Sequence, residues 1–255
     1  MNITIKRSKR EVSRAAADHI AALVRKKPDA VLGLATGFTP LETYRELIRK
    51  HSEGLDFSHI VTFNLDEYIG YGMDLSLPYS KDQSYARFMH EEFFRHINIH
   101  RSNIHIPNGQ VDDPEEECLR YERRIRKAGG IDLQLLGIGR TGHWAFNEPG
   151  TPLDSRTHIQ TLSETTLDDN HRLFFYKSGL EREMMPKRSI TMGVGTILEA
   201  RSLLMIATGK RKASVTAAAL EGEISSLVTA SAIRLFKGPA TVLLDRGAAS
   251  ALQKQ

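Results

Sequence analysis

The chain has 255 residues, a formal charge of +4 and 40% hydrophobic residues, a size and balance that suit one large buried α/β core and exclude a disordered or fibrous chain. Its cations are interleaved with glutamates, as from Arg120 to Lys127, which reads as solvated helix faces and not as a nucleic-acid stripe; no apolar run approaches the roughly eighteen residues of a membrane span, and the basic start lacks a signal-peptide core. Cys118 is the only cysteine, so no intramolecular disulfide can form and a reducing, cytoplasmic setting is expected.

Ile3 and Ile5 predict a first strand. Ser8 and Glu11 then form a capping box for a helix with Val12, Ala16, Ile20, Leu23 and Val24 on one face, ended by Pro28. Val31 to Ala35 predicts a buried strand that runs into Thr36, Gly37, Phe38, Thr39 and Pro40. Thr39, Pro40 and Glu42 fall where an N-cap, a first-turn proline and a capping-box acid belong, ahead of Leu41, Tyr44, Leu47 and Ile48. This turn is equally compatible with a well-made helix start and with a phosphate cradle, in which backbone N–H groups and the positive end of the helix dipole face the anion.

Ile60 to Asn64 predicts a third strand, followed by Leu65, Asp66, Glu67 and Tyr68. Neighbouring carboxylates in extended chain point to opposite sides, so at most one of Asp66 and Glu67 should face a site. Gly70 to Ser80 lacks periodicity and is a candidate lid; Tyr85, Met89 and Phe93 beyond it read as the packed face of a helix. His96, His100 and His105 match no zinc spacing, so no metal is expected. Asp113, Pro114 and Glu116 cap a helix that carries Cys118, Tyr121 and Ile125 and ends at Gly129.

Ile131 to Pro149 carries the densest chemistry. Ile131 to Leu136 predicts a strand buried on both faces, after which Gly137, Gly139 and Gly142 permit sharp turns and His143, Asn147 and Glu148 supply polar groups. Gly137 to Gly142 matches a dinucleotide-binding fingerprint, with Glu164 about twenty residues further on. Pro149, Gly150 and Pro152, however, interrupt the long helix that such a site needs. His143 alone is equally compatible with a structural histidine; with Glu148 nearby it can form an oriented acid/base pair.

Further on, Ser155 to Leu162 reads as extended, and Asn170 and Arg172 lie in a polar segment. Leu203 to Ala207 predicts a strand, and Thr208 to Lys212 joins a glycine turn and cations to a helix through Val215 to Leu220, stopped by Gly222. Ala232 to Leu235 and Thr241 to Leu244 are predicted as late strands. With no repeat or linker, the expectation is one domain over 1–255, an open, mainly parallel sheet with helices on both faces. Thr36 to Thr39, Asp66, Gly137 to Glu148 and Lys210 to Lys212 each follow a predicted strand. Ligands of such sheets bind outside the carboxyl ends of the strands, so these elements should share a cleft fit for acid/base chemistry on a phosphorylated small molecule.

The motifs LATGFTP, FNLDEYIG, LLGIGRTGHWAFNEPG, SRT and MGVGTIL together resemble the glucosamine-6-phosphate deaminase (glucosamine/galactosamine-6-phosphate isomerase) family, from about Ala30 to Lys212. The resemblance implies conversion of glucosamine 6-phosphate and water to fructose 6-phosphate and ammonia in amino-sugar catabolism, without a cofactor, with an amino-sugar phosphate as partner and neither nucleic acid nor membrane. A homo-oligomer is compatible with it. By position, it implies Asp66 as the base that moves a proton between C2 and C1, His143 as the ring-opening acid/base and Glu148 as its supporting carboxylate. It also implies phosphate binding by the backbone of Gly37, Phe38 and Thr39, with charge from Arg172 and Lys212. Thr141 stands where the family usually has Asp and sometimes Asn, which removes a charge from the ring-opening group. His158 and Gln160 replace basic residues of allosterically activated members, which implies little or no activation by N-acetylglucosamine 6-phosphate. The loop between Tyr68 and Gln83 looks longer than usual and bears on epimer preference. A galactosamine-6-phosphate deaminase and a non-catalytic sugar-phosphate sensor are the alternatives.

Overall fold

The computed structural model describes residues 1–72, 84–172 and 181–253. Its strands are β1 (Asn2–Lys6), β2 (Val31–Leu34), β3 (Val61–Asn64), β4 (Asp66–Tyr68), β5 (Ile104–His105), β6 (Leu133–Leu136), β7 (His158–Thr161), β8 (Arg188–Thr191), β9 (Leu203–Ala207) and β10 (Ala240–Asp245). The helices are α1 (Lys9–Lys26), α2 (Phe38–Ser52), α3 (Tyr85–Glu92), α4 (Pro114–Lys127), α5 (Glu164–Asn170), α6 (Val194–Leu198) and α7 (Ala213–Glu221).

Seven strands form one sheet in the order β1-β10-β9-β6-β2-β3-β5, with every pairing parallel. From β2 the chain moves outward through β3 to β5, then returns to place β6 on the other side of β2 and continues to β9 and β10. The order therefore reverses between β2 and β6. At such a point the loops leaving the two strands diverge to opposite faces and open a crevice at their carboxyl ends. In this chain those loops are the ones that begin at Ala35 and Gly137.

Alternation along the strands fills both faces. Leu32, Leu34, Leu133, Leu135, Leu204 and Ile206 pack with Val12, Ile20, Tyr44 and Met89 on one side. Val31, Phe63, Leu136, Met205 and Val242 pack with Tyr121, Trp144, Ile197 and Ala219 on the other. The expected parallel sheet with helices on both faces is thus present. Cys118 on α4 is buried, and burial pushes its thiol up to about 12, which leaves it protonated at neutral pH.

A second sheet, β4-β8-β7, is antiparallel. β4 and β7 were legible only as short extended pieces, and β8 carries no expectation from the sequence. Over it lies an aromatic cluster of Tyr68, Tyr71, Tyr85, Phe146, Leu162, Leu167 and Met185.

Two predictions are corrected. Ala232 to Leu235 is not a strand; it belongs to a 3-10 turn over Thr229–Arg234 whose N–H groups bond locally, Leu235 N to Ala232 O at 2.9 Å and Phe236 N to Ile233 O at 3.3 Å. A four-residue apolar run carries too little periodicity to separate the two forms. Thr39 is not an N-cap: α2 already begins at Phe38, because Gly37, at φ 108°, takes a backbone conformation that lets the chain turn into the helix two residues sooner. The candidate lid from Gly70 to Ser80 lies almost wholly outside the described residues, as does most of the loop between Tyr68 and Gln83.

The adjacent carboxylates divide as the extended geometry requires. Glu67 turns away from the crevice and accepts N–H bonds from Tyr68 (2.8 Å), Tyr85 (3.1 Å) and Ala86 (2.8 Å), so a fully buried carboxylate ties the start of α3 to β4. Glu67→Gln places an amide donor against at least one of these N–H groups. The expected result is a loss of about 1–3 kcal/mol of stability, checked by thermal or denaturant unfolding; an unchanged midpoint would reject the tie.

Candidate active site

Ala35 to Pro40, Leu65, Asp66, Tyr85, Gly137 to Gly139, His143, Ala145, Phe146 and Asn170 line one cleft at the carboxyl ends of β2, β3 and β6. The sheet brings together Thr36 to Thr39, Asp66 and the Gly137 loop, as their shared position after strands predicts.

Asp66 faces this cleft from the first residue of β4 and is only 4% exposed. Burial pushes its carboxyl up to about 7, opposed by the Thr36 hydroxyl, which donates to Oδ1 at 3.2 Å. A carboxylate set near neutrality in this way can take up and return a proton. Thr36→Val removes the opposing hydrogen bond, so the acid limb of the rate profile is expected to move to higher pH by about one unit. A kcat/KM profile that superimposes on the parent's would remove Thr36 from this role.

His143 sits on the loop after β6, with its side chain 13% exposed. Its Nδ1 lies 2.7 Å from Thr141 Oγ1 and 4.0 Å from Glu148 Oε2. Burial lowers the imidazole pKa and Lys212 adds to that effect, while Glu148 and Asp169 oppose it. Gly139 is required here: a Cβ on it would meet His143 Nε2 at 2.0 Å. Ala145 carries a positive φ of 51°, a conformation unusual for a residue with a side chain, within the same loop. Glu148 Oε1 accepts from Ser163 N at 3.0 Å, whereas its buried Oε2 has no hydrogen-bond partner among the described residues. Asn147 does not join the cleft; its amide donates to Trp144 O and Met192 O, each at 2.9 Å, and fastens the loop to the core.

Lys210 to Lys212 do not line this cleft, contrary to their expected place in it; Lys212, which closes a 3-10 turn between β9 and α7, lies close enough to act on His143. Its ammonium makes no hydrogen bond or ion pair with the described residues, and burial lowers its pKa, with Asp169 opposing and Arg140 reinforcing the shift. Arg140 Nη1 pairs with Asp169 Oδ1 at 3.2 Å. Asp245 fixes the Lys212 turn, accepting Gly209 N at 2.9 Å on both carboxylate oxygens. Across the cleft, no side chain caps α2 at Gly37, so its first-turn N–H groups and dipole are presented to the crevice. Arg172 is exposed just beyond α5, outside the residues that line the cleft.

His158 and Gln160 turn on each other, Nε2 to Oε1 at 3.2 Å, with His158 Nδ1 at 2.8 Å from Arg156 O. Glu164 opens α5 and pairs with Arg182. The chain from Gly142 to Ser163 contains no helix, which leaves the dinucleotide fingerprint without its structural context. Sequence reasoning assigned Tyr85 to packing alone and did not place Asn170 in the cleft. Asn170 Nδ2 donates to Tyr68 OH at 2.7 Å, which lies 3.2 Å from Tyr85 OH. Only the distant pairing of α3 and α5 across β4 creates this group, so no local signal announces it.

Residues 6–242 match the family model described as glucosamine-6-phosphate isomerases/6-phosphogluconolactonase. A glucosamine-6-phosphate deaminase of Thermoanaerobacter sp. (strain X514) is 45% identical over 98% of this chain and 94% of its own. One from Clostridioides difficile (strain 630) is 46% identical over 94% and 92%. Among solved structures, a monomeric glucosamine-6-phosphate deaminase superposes with a TM-score of 0.90 at 46% identity, over 98% of this chain and all of the other. The 6-phosphogluconolactonase from Trypanosoma cruzi, at 22% identity and a TM-score of 0.75 over 99% and 97% of the two chains, shares the fold. With the sheet order, the cleft and these matches in agreement, the chain belongs to the glucosamine-6-phosphate isomerase/6-phosphogluconolactonase family.

Proposed function

We propose that the protein is a glucosamine-6-phosphate deaminase, an enzyme that isomerises and deaminates glucosamine 6-phosphate with water to give fructose 6-phosphate and ammonia. The observation that carries this reading is the presence of Asp66 and His143 on one cleft, the first a desolvated carboxylate held near neutrality and the second a buried imidazole. In this reading the substrate phosphate lies between the uncapped start of α2, with the backbone of Gly37, Phe38 and Thr39, and the ammonium of Lys212, unpaired among the described residues; Arg172 contributes longer-range charge.

His143 passes the O1 proton of the closed sugar to O5, so the C1–O5 bond breaks and the aldehyde forms. Asp66 then takes the C2 proton, made acidic by the adjacent carbonyl, as a proton of the substrate ammonium passes to O1 to give the enolamine, and Asp66 returns its proton to C1. The resulting C2 imine adds water and expels ammonia, leaving the ketone. Phosphate binding remote from C1 and C2 supplies the positioning energy. No redox step occurs, and no cofactor is required. The setting is cytoplasmic amino-sugar catabolism, including that of N-acetylglucosamine, and the whole chain acts as one unit. Among the described residues, no helix is long and apolar enough to cross a membrane.

The test is ammonia release from glucosamine 6-phosphate and galactosamine 6-phosphate in parallel. Equimolar fructose 6-phosphate and ammonia from the first supports the proposal. Preference for the second transfers the mechanism to the other epimer, and tight binding without turnover of either points to a sensor.

A further inference from the structure

We infer that the carboxyl ends of β1, β10 and β9 form a cationic patch that draws phosphate-bearing sugars toward the cleft, raising their local concentration without contacting them once bound. This rests on the sugar-phosphate reading of the cleft, although the field itself belongs to the protein and acts on binding as well as on turnover.

Every pairing in the large sheet is parallel, so the turns that leave its strands all emerge on the edge that carries the cleft. β1, β10 and β9 stand side by side, and β9 pairs with β6, whose loop lines the cleft. Lys6 closes β1 beside Asp245, Arg246 follows β10, and Lys210 and Arg211 follow β9. These turns touch: Asp245 accepts Gly209 N, and a Cβ on Gly247 would meet Lys210 N at 2.9 Å.

The cations are left without counterions. Lys210, Arg211 and Arg246 are exposed and Lys6 is partly so, and none of the four side chains makes a hydrogen bond or an ion pair with the described residues. The acids of the same turns are otherwise engaged, Glu11 by Arg7 and Asp245 by the N–H groups of Gly209 and Ala248. Other surfaces show the reverse, with Arg49, Arg120 and Arg123 each paired to a glutamate. Lys212, which shares its turn with Lys210 and Arg211, lowers the pKa of His143, so charge on this turn is felt in the cleft.

Strands about 4.8 Å apart set the patch roughly 5–15 Å from the end of β6. At that range three charges favour a phosphate dianion about tenfold at ~10 mM salt, where the screening length is about 30 Å, and less than about twofold at ~0.3 M. Charge that acts from a distance on the phosphate acts equally on the bound and the reacting sugar, so it changes KM and leaves kcat alone.

The experiment measures kcat/KM for glucosamine 6-phosphate and, by calorimetry, the affinity for fructose 6-phosphate across that salt range. It compares the parent with Lys210→Gln/Arg211→Gln/Arg246→Gln and with the charge-retaining Lys210→Arg/Arg211→Lys/Arg246→Lys. The glutamine variant is expected to lose about tenfold in both quantities at ~10 mM salt, through KM, and to converge on the parent at ~0.3 M. The charge-retaining variant should keep the parent's profile, and turnover of unphosphorylated glucosamine should respond to neither. Arg246→Glu alone should show a smaller loss with the same salt dependence, and it serves if the triple variant does not fold. Equal losses at both salt concentrations, a loss in kcat, or a charge-retaining variant that behaves like the glutamine variant would overturn the inference. So would a parent with no affinity for fructose 6-phosphate, or unchanged sugar-phosphate affinity with loss of salt-dependent binding to a DNA duplex, which assigns the patch to nucleic acid. A parent that binds fructose 6-phosphate but releases no ammonia from either amino-sugar phosphate rejects the deaminase reading, and the calorimetric affinities still decide the inference.

Discussion

Asp66→Asn lowers ammonia release from glucosamine 6-phosphate by about 10³-fold or more while binding of an acyclic sugar-phosphate analogue persists, because the substitution removes a proton acceptor and almost no volume. The residue lies at the start of β4, whose antiparallel pairing with β8 does not involve the side chain, so the fold has no need of its charge. The contrast with Glu67 is informative. One residue along, an equally buried carboxylate is consumed by three backbone N–H groups and has no capacity left for a substrate. Retention of parental turnover by the asparagine variant would remove Asp66 as the base.

The same variant has a signature in stability. Asp66 titrates near 3.8 in an unfolded chain and is pushed up to about 7 by burial in the folded one. Between those values the native state holds a proton that the unfolded state has released, so stability falls as pH rises from about 4 to about 7 and the penalty persists above that. Asparagine carries no such penalty. The variant is therefore expected to unfold at a higher temperature than the parent at pH 8, with the difference shrinking toward pH 4, while the parent's kcat/KM declines below about pH 7 as the base is protonated. A stability difference independent of pH would contradict the shifted carboxyl.

The two results touch on what could be read from sequence. The parallel sheet was legible because β2, β6, β9 and β10 are mostly apolar runs, and such runs suit a strand buried on both sides. The cleft was legible because Thr36, Asp66 and Gly137 each lie just after a strand, a purely local fact that topology turns into a common location, whereas Lys212, also just after a strand, does not line it. β4, β7 and β8 were harder: they are three or four residues long, and their pairing depends on partners far away in the chain. Thr39 shows how a good local pattern is overridden, since Gly37 offers a turn no side-chain cap requires. The division of labour between Asp66 and Glu67 was predicted in form, from strand geometry, but which carboxylate faced inward depended on α3. Tyr85 and Asn170 could not be found at all without the contact between α3, β4 and α5.

Lys212→Ala lowers kcat/KM for glucosamine 6-phosphate by about 10²-fold or more, the size expected when a buried anion loses its cationic partner. Lys212 is prepared for this role by isolation. Its ammonium is largely desolvated, unpaired among the described residues, and carried by a turn that Asp245 holds at Gly209. A cation in that state is costly until an anion arrives, and α2 supplies only partial positive charge to share the load. The loss should appear in kcat as well as KM, because contacts to the phosphate hold C1 and C2 against His143 and Asp66. Unphosphorylated glucosamine separates this effect from a general disturbance: its slow turnover should be nearly indifferent to the substitution, so that the advantage conferred by the phosphate collapses in the variant. Removing the cation also relieves the pressure that lowers the His143 pKa, which should rise in the alanine variant. If both sugars lose activity in equal proportion, Lys212 serves the architecture of its turn, and the phosphate must find its charge elsewhere, for example at Arg140, which pairs with Asp169 at 3.2 Å.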